Sequence, residues 1–237
     1  MAIYQIKKAT DSLQLAKLTS SLIAESIRNI LVHKPRCQIA LSGGSTPRQT
    51  YTLLKDEKIA WRNVDIFLGD ERWVDPNDIS SNSLMIRNTL LSNGYATEAV
   101  FHPVPFSNAL SPQECALSFA TLISQICQGE PPVLDLVLLG LGDDGHTASL
   151  FPNTDSLEVN DSITTVSRGG GYDRITLTTP AFNCASQIIF LVSGKSKQTA
   201  LKRLIDPSES YLRTPAKLIQ TANPILILAD EDAAKHI

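Results

Sequence analysis

The chain has 237 residues, of which 43% are hydrophobic and 19% charged, the proportions of a folded globular protein rather than a disordered one. A net charge of -3 without any Lys/Arg-rich block excludes broad attraction for nucleic acid, and no apolar run reaches the roughly 18 residues of a membrane span. The N-terminus, MAIYQIKKATDSL, lacks the apolar run of a signal peptide, so a cytoplasmic protein without nucleic-acid or membrane partners is expected.

Residues 12–31 carry Leu13, Leu15, Ala16, Leu22, Ile23, Ile27 and Ile30 at helical spacing, and Pro35 ends that segment. Short apolar runs at 38–41, 64–68, 99–104, 135–139, 174–178, 187–192 and 225–229 predict buried strands. Helical spacing returns between them at 47–54, 83–91, 112–127 and 197–205. The alternation predicts one α/β domain over 1–237: a Rossmann-like, mostly parallel open sheet with helices on both faces. Pro131-Pro132 and Gly169-Gly170-Gly171 predict loops, not domain linkers, because apolar runs resume directly after each. Cys37, Cys115, Cys127 and Cys184 are widely spaced, so they predict reduced core thiols and neither a metal site nor a redox motif.

Polar clusters follow four of the strands. Leu41 leads into SGGSTP, Leu68 into GDER, Leu139 into GLGDDGH and Val192 into SGKSK. Ligands of open parallel sheets sit outside the carboxyl ends of the strands, so these loops are expected to converge on one crevice. In Ser42-Gly43-Gly44-Ser45-Thr46-Pro47 the glycines permit close backbone approach and Pro47 suits a first helical turn, a cradle for phosphate at a helix N-terminus. The plainer alternative is a strand-to-helix turn capped by Ser45 or Thr46. Asp70, Glu71 and Arg72 set two carboxylates beside a guanidinium suited to phosphate, and Ser81-Asn82 opens the next helix.

Gly140–Gly145 satisfies G-x-G-x-x-G, yet Asp143 and Asp144 would bring negative charge to the place of a pyrophosphate, so no dinucleotide is expected. The glycines instead let Asp144 and His146 stand at the mouth of the crevice, the carboxylate orienting the imidazole. Of the four histidines, His33 ends a helix, His102 ends a strand and His236 is next to last. Only His146 lies in a Gly/Asp constellation after a strand. Arg174 and Lys197 add cations to Arg72, enough to neutralise a phosphate dianion.

In order, LSGGSTPRQTY, GDERWV with SSNSLM, DLVLLGLGDDGHTASLFP, RITLT and VSGKSKQTAL resemble the 6-phosphogluconolactonase family over residues 39–201. The related glucosamine-6-phosphate deaminases continue the D-G-H element with an Asn-Glu-Pro-type segment, where this chain has Ala148-Ser149-Leu150-Phe151-Pro152. The resemblance implies hydrolysis of 6-phospho-D-glucono-1,5-lactone to 6-phospho-D-gluconate, a step of the oxidative pentose phosphate pathway, with no cofactor and no metal. It also implies a phosphate site from Ser42, Gly43, Gly44, Ser45 and Thr46 with Arg72, Arg174 and Lys197, and His146 as the base. Asp144 is the first choice to orient His146, with Asp70 and Asp143 as alternatives, and Asp70 is counted among the catalytic groups. The segment Gly169-Gly170-Gly171-Tyr172 departs from the family's Pro-rich stretch, and residues 223–230 are only loosely similar. The expected partner is a small phosphorylated sugar lactone, the oligomeric state being open between monomer and weak dimer. Ammonia release from glucosamine 6-phosphate would mark a deaminase or isomerase instead, tight binding without turnover a sensor, and a response to NADP a dehydrogenase.

Overall fold

Strands that are apolar along their whole length need cover on both faces, which a parallel sheet flanked by helices provides. A computed structural model describes residues 2–237, and its elements follow the expected alternation. They run β1 (Tyr4–Ala9), α1 (Ser12–His33), β2 (Cys37–Leu41), α2 (Ser45–Leu54), β3 (Val64–Leu68), β4 (Asp70–Arg72), α3 (Asn82–Thr89) and β5 (Val100–Phe101). After α4 (Pro112–Ile126) come β6 (Leu136–Gly140), β7 (Thr164–Gly169), β8 (Tyr172–Leu177), α5 (Thr179–Asn183), β9 (Ile188–Val192), α6 (Gln198–Ile205) and β10 (Ile225–Asp230).

Seven strands form one parallel sheet in the order β1-β10-β9-β6-β2-β3-β5. Every residue of β2, β3 and β9 is buried, so both faces of the sheet's centre are covered. Helix α1 starts at Asp11, whose carboxylate accepts from the Gln14 backbone N–H at 2.8 Å, a side-chain cap for an otherwise unpaired donor. It buries Leu15, Ile23 and Ile27 completely, each contributing about 1.5–3 kcal/mol by leaving water. The chain moves outward from β2 through β3 to β5, then crosses back to lay β6 on the other side of β2. Strand order therefore reverses between β2 and β6, which opens a crevice at their carboxyl ends.

Four expectations need correction. Neither β7 nor the short β4 falls on any of the expected strands. β1 escaped notice because it is an edge strand with four exposed residues in YQIKKA, so it carries no apolar run. The segment expected over 99–104 pairs only at Val100–Phe101. The strand bearing Arg174 belongs not to the parallel sheet but to a separate antiparallel one, β4-β8-β7. It turns back through Gly170 and Gly171 at φ 61° and 82°, the left-handed pair that matches a tight hairpin to strand twist.

Cys37, Cys115 and Cys127 are buried free thiols, whereas Cys184 is only half-buried. Burial pushes the Cys37 and Cys127 thiols up to about 12, which leaves them unreactive. His102 is structural: its Nε2 lies 2.9 Å from Asp65, and its ring stacks on Phe67 at 4.8 Å.

Glu71, read above as a site acid, caps α3. Its buried carboxylate accepts from the backbone N–H groups of Arg72, Asn82 and Ser83 at 2.8, 2.7 and 2.7 Å, and from Ser81 Oγ at 3.1 Å. Burial pushes its carboxyl up, against the pull of these donors. Glu71→Gln is expected to destabilise the fold by about 1–3 kcal/mol, because an amide would aim N–H at backbone N–H. Urea unfolding checks this, and a loss under about 0.5 kcal/mol would show the cap to be dispensable.

Candidate active site

The loop after β2 builds an anion cradle. Gly44 occupies the cap position of α2 at φ 109° with no side-chain cap, so neither Ser45 nor Thr46 serves as the cap. The first N–H groups of the ten-residue helix α2 are left without that partner, beside the positive end of its dipole. Ser42 Oγ is buried and has no hydrogen-bond partner among the described residues, while the Ser42 carbonyl accepts from the Tyr51 hydroxyl at 2.8 Å. Gly43 must lack a side chain: a Cβ there would lie 1.9 Å from Asn82 Oδ1.

The loop after β6 presents His146. One oxygen of Asp144, Oδ1, accepts from the His146 backbone N–H at 3.0 Å and contacts its Nδ1 at 2.6 Å. Burial alone would raise the Asp144 carboxyl, but the His146 backbone N–H, the imidazole charge and the ring hydrogen bond together hold it below the usual carboxylate range. Asp144 is thus an acceptor only, which places the ring proton on Nδ1. Nε2 remains as the free nitrogen, with no hydrogen-bond partner among the described residues. Gly142 makes room for the pair, since a Cβ there would stand 2.1 Å from Nδ1 and 2.7 Å from Asp144 Oδ1.

The antiparallel sheet supplies the cations. Arg72 and Arg174 are direct partners across β4 and β8, and like charges set opposite one another destabilise a sheet. Arg174 is buried, which together with the nearby Arg72 charge lowers its pKa against the pull of Asp70. Asp70 binds elsewhere than the sequence suggests: Ser149 Oγ donates to it at 2.5 Å and Arg174 Nη1 lies 3.5 Å away. It has no hydrogen bond to His146 among the described residues. Arg72 has no carboxylate within 4.0 Å among the described residues; its Nη1 donates to Ser80 O at 2.6 Å and Asn82 Oδ1 at 3.1 Å, and its Nε is buried without a partner. Lys197, in a short turn opening α6, pairs with Asp143 at 2.5 Å.

These groups line one cavity of about 240 Å³ at the reversal between β2 and β6. Ser42, Gly43, Gly44, Ser45, Thr46, Asp70, Arg72, His146, Arg174 and Lys197 all face it. Asp144 does not; it stands behind His146, and Asp143 is occupied with Lys197. Three participants escaped the sequence reading. Asn82 lines the cavity while its Nδ2 donates to the Asp70 carbonyl at 2.9 Å. Ser149 holds Asp70. Asp230, at the end of β10, accepts from Ser193 Oγ at 2.5 Å and Gly194 N–H at 3.0 Å, fixing the loop that leads to Lys197. For Asn82 and Ser149 the SSNSLM and TASLFP strings were the available signal; an aspartate in a loosely similar C-terminal stretch offered none.

A mostly parallel sheet with a cradle, opposed arginines and an oriented histidine at its reversal point has the architecture of enzymes that handle phosphorylated sugars. The chain belongs to the family of glucosamine-6-phosphate isomerases and 6-phosphogluconolactonases, whose model matches residues 10–227. It is 38% identical over 230 residues to a 6-phosphogluconolactonase from Nostoc, covering 96% of this chain and 95% of that one. A Synechocystis 6-phosphogluconolactonase is 37% identical, with 91% and 90% covered. The crystal structure of a 6-phosphogluconolactonase from Shewanella baltica superposes with a TM-score of 0.88 at 27% identity, covering 97% of this chain and 100% of that chain.

Because a Cβ at position 142 meets both partners of the dyad, Gly142→Ala is expected to break the Asp144–His146 hydrogen bond while leaving the fold intact. Nitrogen-15 spectra of the ring would then report mixed tautomers instead of the Nδ1–H form. A single unchanged tautomer would contradict this role of the glycine.

Proposed function

We propose that this chain hydrolyses 6-phospho-D-glucono-1,5-lactone to 6-phospho-D-gluconate with His146 as the base. The observation that carries the reading is the single cavity that the uncapped α2 N-terminus, two opposed arginines and His146 all line. Kinship with 6-phosphogluconolactonases over nearly the whole chain supports the substrate. The phosphate rests on the N–H groups of the 42–46 loop, with Arg72, Arg174 and Lys197 as counter-charges. Its dianion relieves the repulsion between the two arginines, and Lys197 turns to it from Asp143.

A lactone carbonyl is already electrophilic, so the protein must position water, remove its proton and stabilise the oxyanion. Neutral His146 takes the proton at Nε2 as the water oxygen bonds to C1. Asp144 keeps Nδ1–H in place and stabilises the imidazolium that forms. Collapse of the tetrahedral intermediate breaks the bond between C1 and the ring oxygen, which receives the proton back from Nε2. One water is consumed and no covalent enzyme intermediate arises. Asp70, held by Ser149 and facing the cavity, accepts hydrogen bonds from sugar hydroxyls.

His146→Ala is expected to lower kcat by about 10²–10⁴-fold and leave affinity for 6-phosphogluconate within a few-fold. Arg72→Ala should do the opposite, raising KM at least about tenfold for the loss of a charge-assisted hydrogen bond with kcat little changed. Lactone turnover corrected for spontaneous hydrolysis decides the matter, and near-normal kcat in His146→Ala would refute the assignment. On the acid side kcat/KM should fall along a single limb, because a histidine base acts only in its neutral form. Asp144 adds no second limb there, since its contacts with His146 hold its carboxyl below the usual carboxylate range. A two-proton limb in that range would rule this out.

A further inference from the structure

We propose that Phe151 is a positioning residue for both working side chains, an aromatic wedge that sets the plane of His146 and the guanidinium of Arg174. The inference rests on the lactonase reading for its kinetics, but its geometry stands by itself. Asp144 holds the backbone of His146 and, on the imidazole, only Nδ1, which leaves the ring free to swing about that bond. The Phe151 ring closes off this motion: its centroid lies 4.4 Å from that of His146 at an interplanar angle of 41°. The guanidinium carbon of Arg174 stands over the same ring, 5.2 Å from its centroid, within the range of a cation–π contact.

The backbone is shaped to bring this ring back to the histidine. Ala148 adopts φ 48°, a left-handed turn that costs a side-chain-bearing residue about 1–2 kcal/mol, and Leu150 N–H bonds to Thr147 O at 2.9 Å. The chain thus doubles over between His146 and Phe151. On its far side the ring presses on the last residue of β7, Gly169, where a Cβ would lie 2.4, 2.5 and 2.6 Å from three ring atoms. The carbonyl of that glycine accepts from Arg174 Nε at 2.9 Å. One flat side chain therefore touches the base, a cationic side chain of the binding site and the strand that anchors that cation. An aliphatic residue of similar volume would fill the space but supply no aromatic face for the cation and no plane against the imidazole.

Phe151→Leu and Phe151→Tyr test this on the full chain. The leucine variant should lose about ten- to a hundredfold in kcat/KM, the scale of a small misplacement of catalytic groups, while the tyrosine variant, which keeps the ring, stays within about threefold. Nitrogen-15 spectra read the positioning without turnover: in Phe151→Leu the His146 ring should show mixed tautomers, and the Arg174 Nε–H should exchange faster with solvent. Should the leucine variant fail to fold, Phe151→Met is read the same way. A folded variant with a lower Tm but unchanged His146 and Arg174 signals overturns the proposal, whatever its activity. An inactive wild-type protein would refute the lactonase reading instead, and the spectra would still decide the role of Phe151.

Discussion

The strand order reverses between β2 and β6, and the rest of the site follows from that one topological constraint. Loops leaving neighbouring strands on the same side of a sheet would cover each other, but where the chain doubles back the two carboxyl ends stay open. The 42–46 loop and the 141–146 loop therefore face each other across a gap, one offering free backbone N–H groups and the other an imidazole. β3 and β9 lie immediately outside this pair, so the loops bearing Asp70 and Lys197 border the same gap. Each loop is only a few residues long and leaves a largely buried strand, so the sheet sets where it starts and contacts such as Asp230 with Ser193 and Gly194 fix its course.

Charge is handled locally in a molecule that is negative overall. Arg72 and Arg174 face each other in register, an arrangement that costs stability unless an anion separates them. Asp70 supplies part of that compensation from within the protein, held by Ser149, and Asp143 does the same for Lys197. Both carboxylates pair with cations that face the cavity. Asp144 differs from them. Behind His146 and off the cavity wall, it engages the histidine at two donors, so its charge serves the imidazole alone. Three acids that look interchangeable along the chain thus have three distinct partners.

Much of this was legible in the residue order. Short apolar runs such as Ile188–Val192, and Val64–Leu68 with Asp65 its only polar residue, point to buried strands, and polar clusters placed directly after such runs then fall at strand ends. One of the strands that went undetected is instructive: Tyr4–Ala9 is mostly solvent-facing at the sheet edge, and its pattern of Gln, Lys and Lys has no apolar period to detect. Arg174 was assigned correctly to a strand and wrongly to a sheet, because the local pattern of Arg-Ile-Thr-Leu reports extension and burial but not which strand lies alongside. Glu71 looked like a site acid for the same reason; its partners are backbone groups about eleven residues away that no side-chain pattern announces.

Residue order alone therefore established the alternating architecture, the cradle glycines and His146 as the outstanding histidine, since these depend on periodicity and on residue types at short spacing. The folded chain was needed to assign Asp144 rather than Asp70 to the imidazole, to oppose Arg72 with Arg174, and to bring Phe151 against both His146 and Arg174. Strand register opposes the two arginines and the turn through Ala148 brings Phe151 to His146, three-dimensional relations that leave no period in the sequence.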